Sequence, residues 1–152
     1  MTRESFVEDI NSKLKLIRIE YGLTQDKMAG ILGISKKTLV ESEKGRRSIG
    51  WTECVAIVTI FSQSHVLQNA YGGDLFDMIG AIAFDNVEIK YPKTMGGKIW
   101  WRNVEERNGL RIQQNVISNH YRLLNDQNQR IISSFDEEVV REQMYALIGE
   151  EE

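Results

Sequence analysis

The side chains best placed to do chemistry lie between Thr24 and Gly45, where hydroxyl groups stand close to a cluster of lysines. Thr24 and Ser35 each precede apolar residues at helical spacing, so each hydroxyl can accept a hydrogen bond from the first N–H groups of a helix. Lys36 and Lys37 follow directly and offer ammonium donors at the start of the second helix. The segment is therefore suited to hydrogen bonding and charge pairing.

Two short helices joined by a tight turn must position these groups. Gly33 predicts the end of the first helix, because glycine readily adopts the left-handed conformation found at helix ends. We expect Ile34 to enter the core, Leu39 to be the inward anchor of the second helix, and Gly45 to end it. The apolar face of the first helix is predicted from Met28, Ala29, Ile31 and Leu32.

Several features of this segment occur together and in register. They are Leu23-Thr24-Gln25, Ala29, Leu32-Gly33-Ile34-Ser35, Thr38-Leu39, Glu43-x-Gly45 and the basic pair Arg46-Arg47. The pattern resembles the Cro/C1 helix-turn-helix regulators, also called the XRE family, over roughly residues 5–65. The resemblance implies a lambda-repressor-like, all-helical DNA-binding domain and a role in transcription regulation, as repressor or activator.

The resemblance also implies roles for individual side chains. In this family the second helix of the motif enters the major groove, and its first residues reach base edges. The implied base-reading candidates are Ser35, Lys36, Lys37, Val40 and Glu41. The implied phosphate contacts, which set position without reading sequence, are Gln25, Thr38, Lys44, Arg46 and Arg47. A homodimer on a palindromic operator in double-stranded DNA is expected, since one such helix reads few bases.

Two positions depart from the family pattern. Ser42 stands where a large apolar or aromatic residue usually packs beneath the second helix of the motif. Ile49 follows Ser48 where proline is common. The family pattern therefore does not predict what packs beneath this helix.

Charge is distributed unevenly along the chain. Residues 11–50 contain nine Lys or Arg and four Asp or Glu, a balance of +5, while the whole chain carries −3, which leaves −8 for the remainder. A local basic face of this kind can replace the counterions of nucleic-acid phosphates. The balance favours a site-specific DNA-binding protein over one that coats nucleic acid.

Further helices are expected on both sides of the motif. One is predicted over 5–20, with a single buried stripe of Phe6, Ile10, Leu14 and Ile17. Another is predicted over 51–61, capped by Ser48. Its apolar faces are Trp51, Val55 and Val58 on one side and Ile57, Ile60 and Phe61 on the other. Apolar residues over 64–84 then indicate a helix interrupted near Gly72-Gly73, by a turn or by a kink.

The expected fold class is α+β, in three parts. Residues 1–65 form the helix-turn-helix domain, 66–95 a helical connector, and 96–152 a small α+β domain for dimerisation or sensing. Pro92, the only proline, marks the connector together with Thr94 and Gly96-Gly97.

The last part is predicted to be an antiparallel β-meander with a C-terminal helix. Its strands are expected over 98–104, 110–118, 120–124 and 130–133, and Asn108-Gly109 favours a type I′ hairpin turn. Asp136 begins the helix with acidic residues in its first turn. The apolar side of that helix is predicted from Val139, Val140, Met144, Leu147 and Ile148.

Three side chains of this part are candidates for a ligand or an interface: Trp100, Trp101 and His120. Adjacent residues of a strand point to opposite faces, so we expect one tryptophan to pack in the core. His120, beside Arg122, could bind an anion or simply pack across the strands. The corresponding effector would be a small molecule, a peptide or a protein.

An enzyme is not expected, because the chain has no glycine-rich phosphate loop, no His-Glu-x-x-His, no cysteine cluster and no Gly-x-Ser-x-Gly. No metal or cofactor is expected. Cys54, the only cysteine, is interpreted as a small core residue. The alternative function is that of an antitoxin or anti-regulator, whose C-terminal half masks a partner protein while its N-terminal half represses its own promoter.

The expected location is the cytoplasm. No apolar run approaches the length needed to span a bilayer, so no membrane partner is expected. The N-terminus leads into an acidic helix rather than into a signal peptide.

Overall fold

The computed structural model describes residues 1–85, 87–88 and 100–150, and it has an α+β fold. The chain divides into two compact units, Met1–Tyr91 and Pro92–Glu152, called here the N-terminal unit and the C-terminal unit. No helix in the described ranges is both long and apolar enough to cross a membrane. The predicted domain limits at residues 65 and 95 stay predictions.

Six helices form the described part of the N-terminal unit. They are α1 (Arg3–Glu20), α2 (Gln25–Leu32), α3 (Lys36–Glu43), α4 (Trp51–Ile60), α5 (His65–Tyr71) and α6 (Leu75–Phe84). Side chains cap five of them by accepting a backbone N–H bond, namely Thr2, Thr24, Ser35, Ser64 and Asp74. The interruption predicted near Gly72-Gly73 is a turn, because Gly72 adopts φ +82° and Asp74 caps a separate helix.

The core of the N-terminal unit contains the stripe predicted for α1. Phe6, Ile10, Leu14 and Ile17 are all fully buried. Leu39 and Cys54 are buried with them, as predicted. Helices α5 and α6 belong to the same core, to which they contribute Leu67, Leu75 and Ile82.

Some predicted apolar faces were wrong at their edges. Ile31 is 45% exposed and Ile60 is 48% exposed, although both were assigned to apolar faces. An α-helix buries a face about 100° wide, and Met28, Ala29 and Leu32 already fill that arc in α2. The cap predicted for α4 was also wrong. Gly50 is the N-cap, and Glu53 accepts its N–H at 3.1 Å.

The C-terminal unit is the predicted meander followed by a helix. Strands β1 (Trp101–Arg107), β2 (Leu110–Asn115), β3 (Tyr121–Leu124) and β4 (Arg130–Ser134) pair in sequence order, all antiparallel, and α7 (Glu137–Glu150) follows. Asn108 and Gly109 adopt φ +48° and +76° between paired Arg107 and Leu110, as a type I′ turn requires. The core of this unit is Ile112, Leu123, Val140 and Met144.

Three predictions for this unit need correction or fall outside the described residues. The second strand ends at Asn115 rather than at residue 118, because the Asn115 Oδ1 accepts the N–H groups of Ile117 and Ser118 at 3.0 and 3.1 Å in a turn. Val139 is exposed rather than part of the apolar side of α7. The start of the predicted first strand and the connector residues Pro92, Thr94, Gly96 and Gly97 lie outside the described residues.

Candidate nucleic-acid interface

The start of α3 presents a polar surface, while the other side of the helix is buried. Ser35 caps the helix by accepting the Thr38 N–H at 3.0 Å, and the two hydroxyls lie 2.8 Å apart. Leu39 and Ser42 are buried beneath the helix. The base-reading candidates lie on the opposite side: Ser35, Lys36 and Lys37 are exposed, and Val40 and Glu41 are half-buried.

The two lysines of this surface differ in their partners. The Nζ of Lys36 lies 2.7 Å from the Oδ2 of Asp26, and both side chains are exposed, so water weakens the pair. Lys37 forms no ion pair with any residue of the described ranges. The Oε2 of Glu41 forms an ion pair with the Nη1 of Arg46 at 4.0 Å. Lys37 is therefore the cation of α3 most available to an incoming anion.

A partly buried ion pair fixes the far end of α3 against α1. The Nε and Nη2 of Arg18 donate to Glu43 at 2.5 and 3.1 Å, and the Nη1 of Arg18 donates to the Leu23 carbonyl at 3.1 Å. Burial acts to raise the pKa of Glu43, but its bonds from Arg18 and Gln25 outweigh this, so the pKa lies below its ordinary value. The Ser35 cap therefore holds the start of α3, and the Arg18–Glu43 pair, called here the clamp, holds its end.

Gln25 takes part in the same network. Its Nε2 donates to the Oε2 of Glu43 at 2.9 Å. An amide nitrogen carries two hydrogens, so one donor remains for the phosphate contact that the resemblance implies. The side chain is thereby held at the start of α2.

Ser42, which departs from the family pattern, is accommodated without an unpaired polar group. Its side chain is buried, and its hydroxyl donates to the Thr38 carbonyl at 2.8 Å. Such a bond back to the preceding turn satisfies the hydroxyl within the helix. The small residue therefore leaves α3 intact.

The remaining predicted phosphate contacts follow α3 closely. Lys44, Arg46 and Arg47 are exposed, and Gly45 turns the chain with φ +70°. The Glu41 carbonyl accepts the N–H groups of Arg46 and Arg47 at 2.9 and 3.3 Å. The backbone of this basic loop is thus tied to α3, while its long side chains reach into solvent.

Asn11 anchors the other end of the loop, a role that sequence reasoning missed. Its Oδ1 accepts the Ile49 N–H at 2.9 Å, and its Nδ2 donates to the Ile49 carbonyl and to the Ser48 Oγ, each at 3.1 Å. Because Ser48 and Ile49 lie 37 and 38 residues from Asn11 in the chain, no local sequence pattern connects them to it. A surface pocket of about 430 Å³ lies beside this anchor and is lined in part by Arg46 and Arg47.

The two tryptophan candidates of the C-terminal unit both lie outside its core. Trp100 is 48% exposed, and Trp101 is half-buried but lies outside the core of the unit. Trp101 pairs with Asn115, three residues beyond Ile112, and alternation therefore places it on the sheet face opposite to Ile112. The expectation that one tryptophan packs in the core was wrong for this reason.

Trp101 instead belongs to a cluster with His120 and Arg122. The guanidinium of Arg122 lies over the indole at 3.7 Å from its centroid, and the His120 ring packs edge-on at 4.9 Å. His120 also packs against Phe135 at 5.8 Å, and its Nδ1 lies 2.6 Å from the Ser118 Oγ. His120 is therefore a cross-strand packing partner, which was one of its two predicted interpretations.

Groups suited to metal binding do not come together in the described ranges. No cluster of three or more His, Cys, Asp or Glu side chains there is placed to hold a metal ion. Burial raises the pKa of the Cys54 thiol to about 12, so the reactive thiolate is scarce at neutral pH.

Comparison of the chain with models of known protein families, with curated proteins and with solved structures gives no match.

Proposed function

We propose that this protein is a sequence-specific, double-stranded DNA-binding transcription regulator. The observation that carries the proposal is the start of α3, which exposes Lys36 and Lys37 while Leu39 and the Arg18–Glu43 pair hold the helix in place. A helix that enters the major groove needs a polar, exposed N-terminal half on a rigid support.

The surroundings of α3 support the same function. Only the residues Gly33, Ile34 and Ser35 separate α2 from α3, and a turn of three or four residues is typical of a helix-turn-helix. The exposed arginines of the loop after α3 carry charge that phosphate oxygens on either side of the groove would neutralise. In this arrangement α3 reads bases, and the loop positions the protein on the backbone.

A homodimer is the assembly that fits this function. One helix contacts few base pairs, whereas two copies related by a two-fold axis read two half-sites about one helical turn apart. The operator is therefore expected to be palindromic.

The test is selection of random double-stranded oligonucleotides on the full-length protein at moderate salt, followed by sequencing of the bound pool. Enrichment of a palindrome with two half-sites is expected. The Lys37→Ala variant, selected in parallel, should enrich a motif that is degenerate at particular positions. A pool without any enriched motif would contradict sequence-specific recognition.

A further inference from the structure

One face of the C-terminal sheet is free of the helix that covers the other. The side chains of Ile112 and Leu123 pack with Val140 and Met144 of α7, which assigns their face to the core. Cross-strand partners share a face, and successive residues alternate. The opposite side, called here the open face, therefore carries Trp101, Arg111, Arg122 and Arg130.

The register arranges the open face in three rows across the strands. The first row is Glu106, Arg111, Leu124 and Arg130, and the second is Asn103, Gln113, Arg122 and Ser133. The third row is aromatic and consists of Trp101, His120 and Phe135. His120 lies in this row because its carbonyl accepts the N–H of Asn115, the cross-strand partner of Trp101, at 2.9 Å. Successive rows lie about 7 Å apart, two residues along a strand.

The arginines of the open face form no ion pair with a carboxylate among the described residues, in contrast to Arg107 and Arg141. Arg107 and Arg141 both form ion pairs with Glu105, whereas Arg111, Arg122 and Arg130 form none in the same ranges. Burial, together with the charges of Arg130 and Arg111, lowers the pKa of Arg122. The paired strand positions of the open face therefore carry three arginines and one carboxylate, that of Glu106, and no ion pair joins them in the described ranges, so positive charge is in excess.

Contacts within the open face hold the Arg122 side chain in place. The Nε and Nη2 of Arg122 donate to the Gln113 Oε1 at 3.1 and 2.8 Å, which fixes its guanidinium over Trp101. Phe135 is 78% exposed at the end of the aromatic row. Exposed flat rings beside fixed cations offer stacking and charge neutralisation at the same time.

We propose that the open face binds single-stranded nucleic acid, with a base stacked on Phe135 at the end of the aromatic row and phosphates held by the arginines. Unpaired bases present flat surfaces that can stack on the exposed Phe135 ring, while a duplex keeps its bases inside. An acidic peptide has charge but no such surfaces. A second copy of the same face would bring together two surfaces that each carry an excess of positive charge, which repel.

The test is a titration of a labelled oligo(dT) of about 12 nucleotides with the full-length protein, followed by fluorescence anisotropy at several salt concentrations. Two variants probe the two kinds of interaction. Arg130→Gln should weaken binding and reduce the slope of log affinity against log salt by about 0.7, because the protein then neutralises one phosphate fewer. Phe135→Ser should weaken binding about tenfold and leave the salt slope unchanged, because serine has no ring on which a base can stack.

The matched control is Arg107→Gln, which removes the same charge from an exposed arginine on the helix side of the sheet. It should leave the affinity and the slope unchanged. Thermal unfolding followed by circular dichroism checks that each variant is folded. Equal effects of Arg107→Gln and Arg130→Gln, an unchanged affinity of Phe135→Ser, or absence of binding by the unmodified protein would each overturn the proposal.

Two further measurements keep this surface separate from α3 and from other ligands. Lys37→Ala should leave oligo(dT) binding unchanged, and Arg130→Gln should leave binding to a selected duplex unchanged. Polyglutamate of similar charge should displace oligo(dT) poorly. Displacement at equal charge concentration would assign the face to acidic peptides and overturn the proposal.

Discussion

At the scale of single residues, the side chains around α3 divide into those with a partner and those without. Lys37 is exposed and unpaired in the described ranges, whereas the backbone of Arg46 is tied to Glu41 and its side chain extends from the loop. If α3 lies in the groove, Lys37 reaches base edges and Arg46 reaches phosphates. The two substitutions to alanine therefore should differ in kind.

Lys37→Ala should relax the preference at particular base pairs, and each good hydrogen bond to a base that it removes should cost about 1–3 kcal/mol of discrimination. Arg46→Ala should weaken all duplexes equally and reduce the salt slope by about 0.9. Competition binding with a selected duplex and single-base variants of it, at several salt concentrations, measures both quantities. Identical behaviour of the two variants would refute the division into base-reading and phosphate contacts.

The Arg18–Glu43 pair predicts a pH dependence of stability. The pKa of Glu43 is lowered in the folded protein, so its contribution is complete above the pKa of an unfolded glutamate. The contribution disappears as the pH falls through the lower, folded value. Urea unfolding between neutral and acidic pH should therefore show a decline in the free energy of unfolding below the ordinary glutamate range.

Arg18→Met tests the origin of this decline. Removing the guanidinium leaves the Glu43 carboxylate, 5% exposed, with Gln25 as its remaining side-chain donor. The free energy of unfolding at neutral pH should fall by about 3 kcal/mol, because a buried charge no longer has its partner. The decline at acidic pH should be smaller than in the unmodified protein, and a decline of full size would show that other carboxyl groups cause it.

At the scale of elements, the turn between α2 and α3 depends on one backbone conformation. Gly33 adopts φ +69°, and its N–H donates to the Gly30 carbonyl at 3.2 Å. A Cβ built on either glycine meets no atom within 4 Å, so only the backbone conformation distinguishes the two positions. This pair of glycines therefore isolates the cost of the left-handed conformation.

Gly33→Ala should lower the free energy of unfolding by about 1–2 kcal/mol, since an L-residue is strained at positive φ. Gly30→Ala, in the interior of α2, should raise it by about 0.5–1 kcal/mol, since alanine loses less entropy in a helix. Urea unfolding of both variants measures the difference. Changes of the same sign would contradict this explanation of the turn.

The elements also show how far a sequence can be interpreted. Helix starts at Thr24 and Ser35, the end at Gly33 and the hairpin at Asn108-Gly109 were all predicted, because each depends on bonds or torsions within a few residues. The edges of the apolar helix faces were predicted less well. Ile31 carries an apolar side chain at helical spacing, and only its neighbours in space decide that it remains exposed.

At the scale of the whole molecule, each unit has its own apolar core. The N-terminal core includes Leu14, and the C-terminal core is built around Ile112 and Met144. A unit with its own core can unfold as a separate cooperative transition. Substitutions in the two cores should therefore act on different parts of the unfolding curve.

Leu14→Ala should destabilise the N-terminal unit, and Met144→Ala the C-terminal unit, by about 2–5 kcal/mol each. Hydrogen exchange measured by mass spectrometry, with peptides assigned to each unit, follows the two transitions separately. Each substitution should accelerate exchange in its own unit. Equal acceleration in both units by either variant would show that the chain unfolds as one cooperative body.

The sequence by itself determined the local features of this protein: the caps of α2 and α3, the turns, the order of helices and strands and the buried stripe of α1. These depend on interactions within a few positions of the chain, which local patterns record. Only the tertiary structure decided the Asn11–Ile49 anchor, the Arg18–Glu43 clamp and the stack of Arg122 on Trp101. Their partners are distant in sequence, and they meet only after packing has chosen which face of each element is covered.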